Sequence, residues 1–304
     1  MTTQTVHENA NRKTFRKLDI IVIAVTIAYL ILGILSIIND TNYYAFYTSL
    51  YGVAGFLLMI YHGIPTLGKK NMVFFYITGV LVGFFFEAMG ANFGLFFSKY
   101  TYPVEAFPGP RLANLALLPF LAYGALPYTI WAMAQAIVGV FNNKYRRNDF
   151  MLVPMVCAAI IVAIDFATDP IMSSLGRSHL WENHGVFYGI PLMNYVGWYI
   201  FGYTLFQVLG IGLYFQSKKG TLPAAPQIAE KKRFWYYPIY LYGLQFIQHI
   251  FYIFNQDDRM VTLHNSEQVW SRDVYQGVLL VSFATVLVYA FFAFLSIRRT
   301  DSLE

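Results

Sequence analysis

Charge is scarce in this sequence: only 12% of its 304 residues are Asp, Glu, Lys or Arg, against roughly 25% in a typical soluble domain. That shortage, with 57% hydrophobic residues and a mean hydropathy of +0.48, excludes an ordinary soluble fold. A single cysteine, Cys157, excludes an internal disulfide framework and a multi-cysteine zinc or iron–sulfur site, and its place in an apolar run suits core packing. The six histidines form no HxxxH or HxxH pair, which disfavours a di-iron oxygenase of the membrane desaturase kind. No lysine falls in the middle of a long apolar run, so a retinal Schiff base has no anchor. No GxSxG, P-loop or dinucleotide fingerprint stands in a suitable context.

What the sequence has in abundance is long apolar runs. Eight of them, at about 18–38, 43–64, 72–97, 111–141, 150–168, 186–216, 234–254 and 274–297, come near or exceed the roughly 20 residues a membrane-spanning helix requires. The expected fold is therefore an all-α integral membrane protein, a polytopic bundle of about eight transmembrane helices. The first run follows a basic arm and has no small-residue cleavage pattern after it, so it reads as a retained helix. Sixteen of the 21 Lys and Arg residues fall on one side when alternate loops are assigned to opposite faces. The positive-inside rule then places both termini in the cytoplasm of a multi-pass cell-membrane protein. The expected organisation is a cytoplasmic arm over 1–17, one transmembrane domain over 18–298 with a cytoplasmic loop at about 217–233, and a tail over 299–304. The basic residues are dispersed among short loops without a recognition module, so the formal charge of +5 does not point to nucleic acid.

The loops on the opposite side, KYTYPVEAFPGPR, TDPIMSSLGRSHLWENHG and NQDDRMVTLHNSEQVWSRD, are rich in aromatic, acidic and His residues, which suggests a site opening toward that face. Glu87 lies deep in the run MVFFYITGVLVGFFFEAMGANFG. A carboxylate at mid-helix costs roughly 2.5 to 3.5 kcal/mol, so such groups usually face the bundle interior, find a partner or line a functional cavity. Glu87 reads either as a proton-transfer group or as a helix-pinning hydrogen-bond acceptor, with Asn92 or Asn114 as the expected partner. Asp165 and Asp169 share a face if their helix continues to Pro170, and two close carboxylates share a proton more cheaply than they carry two charges. Otherwise Asp165 caps a helix end and Asp169 begins a turn. His249, with Gln245 and Gln248, gives the seventh run a polar patch.

These residues carry a resemblance. AIDFATDPIMSSLGRSHLWENHGVFYGIPLMNYVGW resembles the signature region of the membrane-bound carotenoid biosynthesis family, which includes the carotenoid 1,2-hydratases; the matching positions are Asp165, Asp169, Pro170, Trp181, Tyr188, Gly189, Pro191, Leu192, Asn194, Tyr195, Gly197 and Trp198. A second block, FEAMGANFGLFFSKYTYPVEAFPGPRLANLALLPFLAYGALPY, is similar through Glu87, Gly90, Phe93, Gly94, Tyr100, Tyr102, Gly109, Pro110 and Pro119. The chain departs from the family pattern at GANFG and LWENHG, near the expected pocket, which leaves the end group and chain length of the substrate open.

The resemblance implies addition of water across the terminal 1,2 double bond of an acyclic carotenoid, without redox cofactor or metal. The residues fit that chemistry. A carboxyl among Glu87, Asp165 and Asp169 would protonate the alkene, and the tertiary cation would rest against aromatic faces such as Phe86, Tyr188 and Trp198. A second carboxylate or Asn194 would hold the attacking water. Asn92, Tyr100, Tyr102, Trp181 and His249 complete the expected substrate-binding set. The expected partners are a hydrophobic polyene, membrane lipid and water. Two other readings use the same carboxylates: an isomerase or cyclase acting through the same cation, and a proton-coupled transporter or lipid-binding protein.

Overall fold

A computed structural model describes residues 3–41, 43–107, 109–117, 119–254 and 258–304, without the side chains of residues 3–8. In lipid a backbone must satisfy its own polar groups, and runs this apolar resolve into helices for that reason. The long helices are α1 (Thr3–Ile38), α2 (Tyr44–Leu67), α3 (Lys69–Phe93), α4 (Phe120–Val138), α5 (Asp149–Leu175), α6 (Leu192–Lys218), α7 (Lys232–Tyr252) and α8 (Ser271–Arg299). All but α7 are both long and apolar enough to cross a membrane. At 21 residues α7 is about 31 Å long, but the polar stripe through Gln245, Gln248 and His249 makes it less apolar. It packs against α1, α2, α4 and α8, and that stripe is buried.

The outside of the bundle is hydrocarbon-like. On α1, Ile20, Ile23, Ile27, Ile31 and Ile34 are all more than half exposed, while Leu18, Ile21, Val25 and Tyr29 face inward. A continuous exposed apolar stripe of this kind suits lipid rather than water. The result is a multi-pass membrane bundle.

Two apolar runs extend beyond the helices they contain. The run from 111 begins with a tight hairpin in which β2 (Arg111–Leu112) pairs with β3 (Leu115–Ala116), and helix starts only after Pro119. The run from 186 likewise becomes helical only after Pro191, whose φ of −64° and extended ψ of 144° set up the first turn of α6. The basic arm expected over 1–17 is helical from Thr3 onward and continuous with α1.

One end of the bundle gathers both ends of the described chain. Arg233 donates to Asp19 at 2.7 and 2.8 Å, Tyr237 donates to the same carboxylate at 2.6 Å, and the backbone of Lys232 donates to the Glu304 carbonyl at 2.8 Å. The connections at the other end are stitched to one another. β1 (Tyr100–Thr101) pairs antiparallel with β4 (Leu180–Trp181), His184 meets Glu267 at 3.2 Å, Asn265 donates to the Asn183 carbonyl at 2.9 Å and Tyr188 donates to the Asp273 carbonyl at 2.8 Å.

A close approach between two helices bears on the site. Gly79 and Gly83 form a small-xxx-small stripe on α3. A Cβ on Gly79 would sit 2.2 Å from the Tyr123 carbonyl oxygen, and one on Gly83 2.5 Å from the Tyr123 ring. Because the obstacle at Gly79 is backbone, Gly79→Ala must move α4 away from α3, at an expected cost of about 1 to 3 kcal/mol. Thermal unfolding in detergent measures that loss; an unchanged midpoint would show that the two helices are not packed this closely.

Candidate active site

Glu87 sits on α3, six residues before the end that meets the stitched loops, and is 4% exposed. Three phenols converge on its carboxylate. Tyr102 donates to Oε2 at 3.0 Å, Tyr100 donates to the same oxygen in a short hydrogen bond, and Tyr123 of α4 donates to Oε1 in another. The partners anticipated for Glu87, Asn92 and Asn114, are instead paired with each other at 2.8 Å, and Asn92 also donates to the Ala88 and Ala113 carbonyls. Chain proximity suggested the asparagines, but the phenols come from a loop and a neighbouring helix.

The loop carrying Tyr100 and Tyr102 is held from two directions. The β1–β4 pair sets Tyr100 opposite Trp181, with ring centroids 4.9 Å apart. Arg111 donates to the carbonyls of Tyr102, Pro103 and Asn114, each at 3.0 Å. Burial first, and then the negative Glu87, push both loop phenols well above the ordinary tyrosine value, so they remain protonated donors.

The second element of the site is the pair on α5. Helix continues through Asp165 and Asp169 and widens into a π-helical segment over Pro170–Leu175. Pro170 has no N–H to donate to the carbonyl four residues back, and such local expansions follow from that loss. The Ser173 hydroxyl donates to the Asp169 carbonyl at 2.9 Å. The two aspartates share a face as their spacing suggested, and Asn194 of α6 joins them. Its amide donates to Asp165 Oδ2 at 2.7 Å and to Asp169 Oδ2 at 3.1 Å. The other oxygen of Asp169 lies 2.7 Å from His179 Nε2.

His179 precedes β4 by one residue. Its ring packs edge-on against Tyr100, Tyr102 and Trp181 at 5.8, 5.9 and 5.2 Å, and Ser178 Oγ lies 3.1 Å from its Nδ1. Burial alone would lower its basicity, but the charge and hydrogen-bonding capacity of Asp169, with a smaller contribution from Glu87, outweigh burial and hold the imidazole above the ordinary histidine value. One imidazole thereby links the phenol cluster around Glu87 to the aspartate pair.

Aromatic faces complete the enclosure. Asn194, Trp198 and Phe201 follow one face of α6 at helical spacing. Trp198 stacks on Tyr123 with an interplanar angle of 18° and centroids 6.2 Å apart, and Phe201 contacts Phe86, Tyr123 and Trp198 at 5.5, 6.0 and 5.2 Å. The Tyr195 hydroxyl and Trp181 Nε1 are buried polar groups with no hydrogen-bond partner among the described residues. Both are available to a bound polar molecule.

The structure thus brings together Glu87, Asp165, Asp169, Tyr100, Tyr102, Trp181, Asn194, Trp198 and Phe86. It does not bring in the other three expected residues. Asn92 pins a turn, Tyr188 reaches the backbone of Asp273, and His249 meets Ser282 at 2.6 Å between α7 and α8. Tyr123 and His179 join the site without having been singled out from the sequence, and Tyr195, named there only as a position of the resemblance, joins it too. Among the described residues, no group of three His, Cys, Asp or Glu side chains is placed to hold a metal ion.

Neither the curated proteins nor the solved structures contain a match to this chain. A family model does match: that of the carotenoid biosynthesis protein family, over residues 47–244, which cover more than half of the chain and every residue of the site just described. On that match the chain belongs to the carotenoid biosynthesis protein family, and its role lies in carotenoid biosynthesis.

Proposed function

We propose that the protein is a hydratase that adds water across the terminal 1,2 double bond of an acyclic carotenoid end group, giving a tertiary alcohol. The observation that carries this reading is the Asp165–Asn194–Asp169 constellation, with Asn194 and Asp169 buried and Asp165 half-buried, placed beside aromatic faces within an apolar bundle. Hydration of a trisubstituted alkene calls for a proton donor, a surface that tolerates a carbocation and a base that orients water; no redox change occurs.

In this mechanism Asp169 takes the part of the acid and delivers a proton to the less substituted alkene carbon. The pi electrons form the new C–H bond, and the positive charge resides on the tertiary carbon. The faces of Trp198 and Tyr123 and the nearby negative charge of Glu87 stabilise that cation. Water held by Asp165 and the free Tyr195 hydroxyl attacks it, and Asp165 accepts the proton released as the C–O bond forms. Glu87 already accepts from three phenols, so it serves as a fixed negative charge rather than as the donor. The polyene enters between helices from lipid, with its end group reaching the aspartates and its remaining length left in the bilayer.

Co-expression with a lycopene-producing pathway tests this reading through the mass of extracted pigment. A gain of one or two waters over the empty-vector strain supports hydration. Pigment of unchanged mass but altered retention would replace hydration with isomerisation or cyclisation through the same cation. Unaltered lycopene beside well-expressed protein would remove lycopene as a substrate.

A further inference from the structure

Among the stitched loops lies a cavity of about 20 Å³, lined among others by Ser173, Ser174, Arg177, His179, Trp181 and His264. Its size admits about one water molecule, and its wall offers several polar partners for one. His179 belongs to both places: it forms part of the cavity wall and touches Asp169 Oδ1 through Nε2 at 2.7 Å. Asp169 itself is 3% exposed.

We infer that His179 is a proton relay that re-equilibrates Asp169 with water in this cavity, so that the site is loaded from the bundle end opposite the chain termini. This rests on the hydratase reading and adds to it the route by which the proton donor is restored. The balance is simple. Asp169 loses one proton to carbon, the attacking water yields one to Asp165, and the product carries H and OH, so a turnover consumes no net proton. The proton left on Asp165 is then in the wrong place. Imidazole can donate through Nε2 to Asp169 and take up a proton from cavity water, while Asp165 gives its proton to water that leaves with the product. The exchange forms and breaks only O–H and N–H bonds.

The groups facing His179 are consistent with this task. Asp169 on α5 and Glu87 on α3 supply negative charge, Tyr100 and Tyr102 are neutral donors on the loop between α3 and α4, and Arg177 and His264 lie across the cavity. An imidazole held above its ordinary value carries its proton below pH of about 6.5 and surrenders it as pH rises through the raised value. Relay through it therefore weakens on the alkaline side.

The test compares parent and His179→Gln proteins in membrane vesicles supplied with the polyene that the parent converts. Glutamine retains a polar group beside Asp169 but carries no exchangeable charge. The variant is expected to show kcat lowered about 100-fold, KM within about twofold of the parent, a flattened alkaline limb and partial restoration by added imidazole. A residue that only fills space would instead change KM or folding, with no rescue. Should His179→Gln fail to fold, the parent alone decides: its alkaline limb, recorded in vesicles with the two aqueous faces held at different pH, must follow the pH of the loop face. A limb that follows the opposite face, or a variant with the parent's rate and pH profile, overturns the relay. If the parent converts no polyene, the hydratase reading fails first and is recognised as the failure.

Discussion

Asp169→Asn is expected to reduce conversion of the polyene by about 10²- to 10⁴-fold at unchanged protein level, the range associated with a lost general acid or base. The amide keeps the size of the carboxyl and can still accept from Asn194, so the constellation that now spans 2.7 and 3.1 Å need not collapse. What it loses is the transferable proton and the charge that faces His179. Asp165→Asn leaves the donor in place and removes the base, so it should slow the same reaction while preserving the pH response that passes through His179. Product quantified against immunodetected protein separates these cases. Parent-level conversion by Asp169→Asn would exclude this carboxyl as the acid.

The second large effect is on stability. Glu87 is the common acceptor for Tyr100, Tyr102 and Tyr123, which come from a loop and from α4, so its removal orphans one buried and two half-buried hydroxyls at once. Hydrogen bonds to a charged acceptor contribute roughly 1.5 to 3 kcal/mol each in soluble proteins. Bonds within membranes average nearer 0.6 kcal/mol, because the unfolded chain in lipid also finds partners. Between these limits, Glu87→Leu is expected to cost about 3 to 5 kcal/mol, and Glu87→Gln about 2 to 3 kcal/mol because one amide oxygen still accepts. Equilibrium unfolding in mixed micelles measures both. A loss below about 0.5 kcal/mol for Glu87→Leu would show that the phenols find other acceptors and that Glu87 is not the hub of this end of the bundle.

The carboxylates were legible in the sequence because charge inside an apolar run is anomalous whatever surrounds it. Asp165 and Asp169 were also legible as a pair, since helical spacing alone puts them on one face, and α5 does continue past both. Their partners were not. Nothing in FLAYGAL distinguishes Tyr123 from the other tyrosines of the chain; only the glycine stripe at 79 and 83 signals that some neighbour approaches closely there, and it does not say which. His179 carried a weaker signal, lying two residues before a tryptophan already associated with the pocket, but its contact with Asp169 depends on the β1–β4 pair, whose paired residues are 79 and 81 positions apart. Asn92 and His249 were reasonable candidates as polar residues in apolar runs, and each is met by a neighbour outside the carboxylate cluster. The helices themselves were predictable from hydropathy, except where proline delayed their start at Phe120 and Leu192.

The stitching of the loops has a kinetic meaning. With Tyr100 locked to Trp181, and Asn265, Glu267 and Asp273 tying the neighbouring connections together, the aqueous end of the site is covered, and a long polyene cannot be threaded through it from one tip to the other. On the proposed reading, a symmetric substrate must withdraw into lipid and return reversed before its second end is served. The enzyme would then work distributively, and in a time course the singly hydrated pigment should rise and decay before the doubly hydrated one dominates.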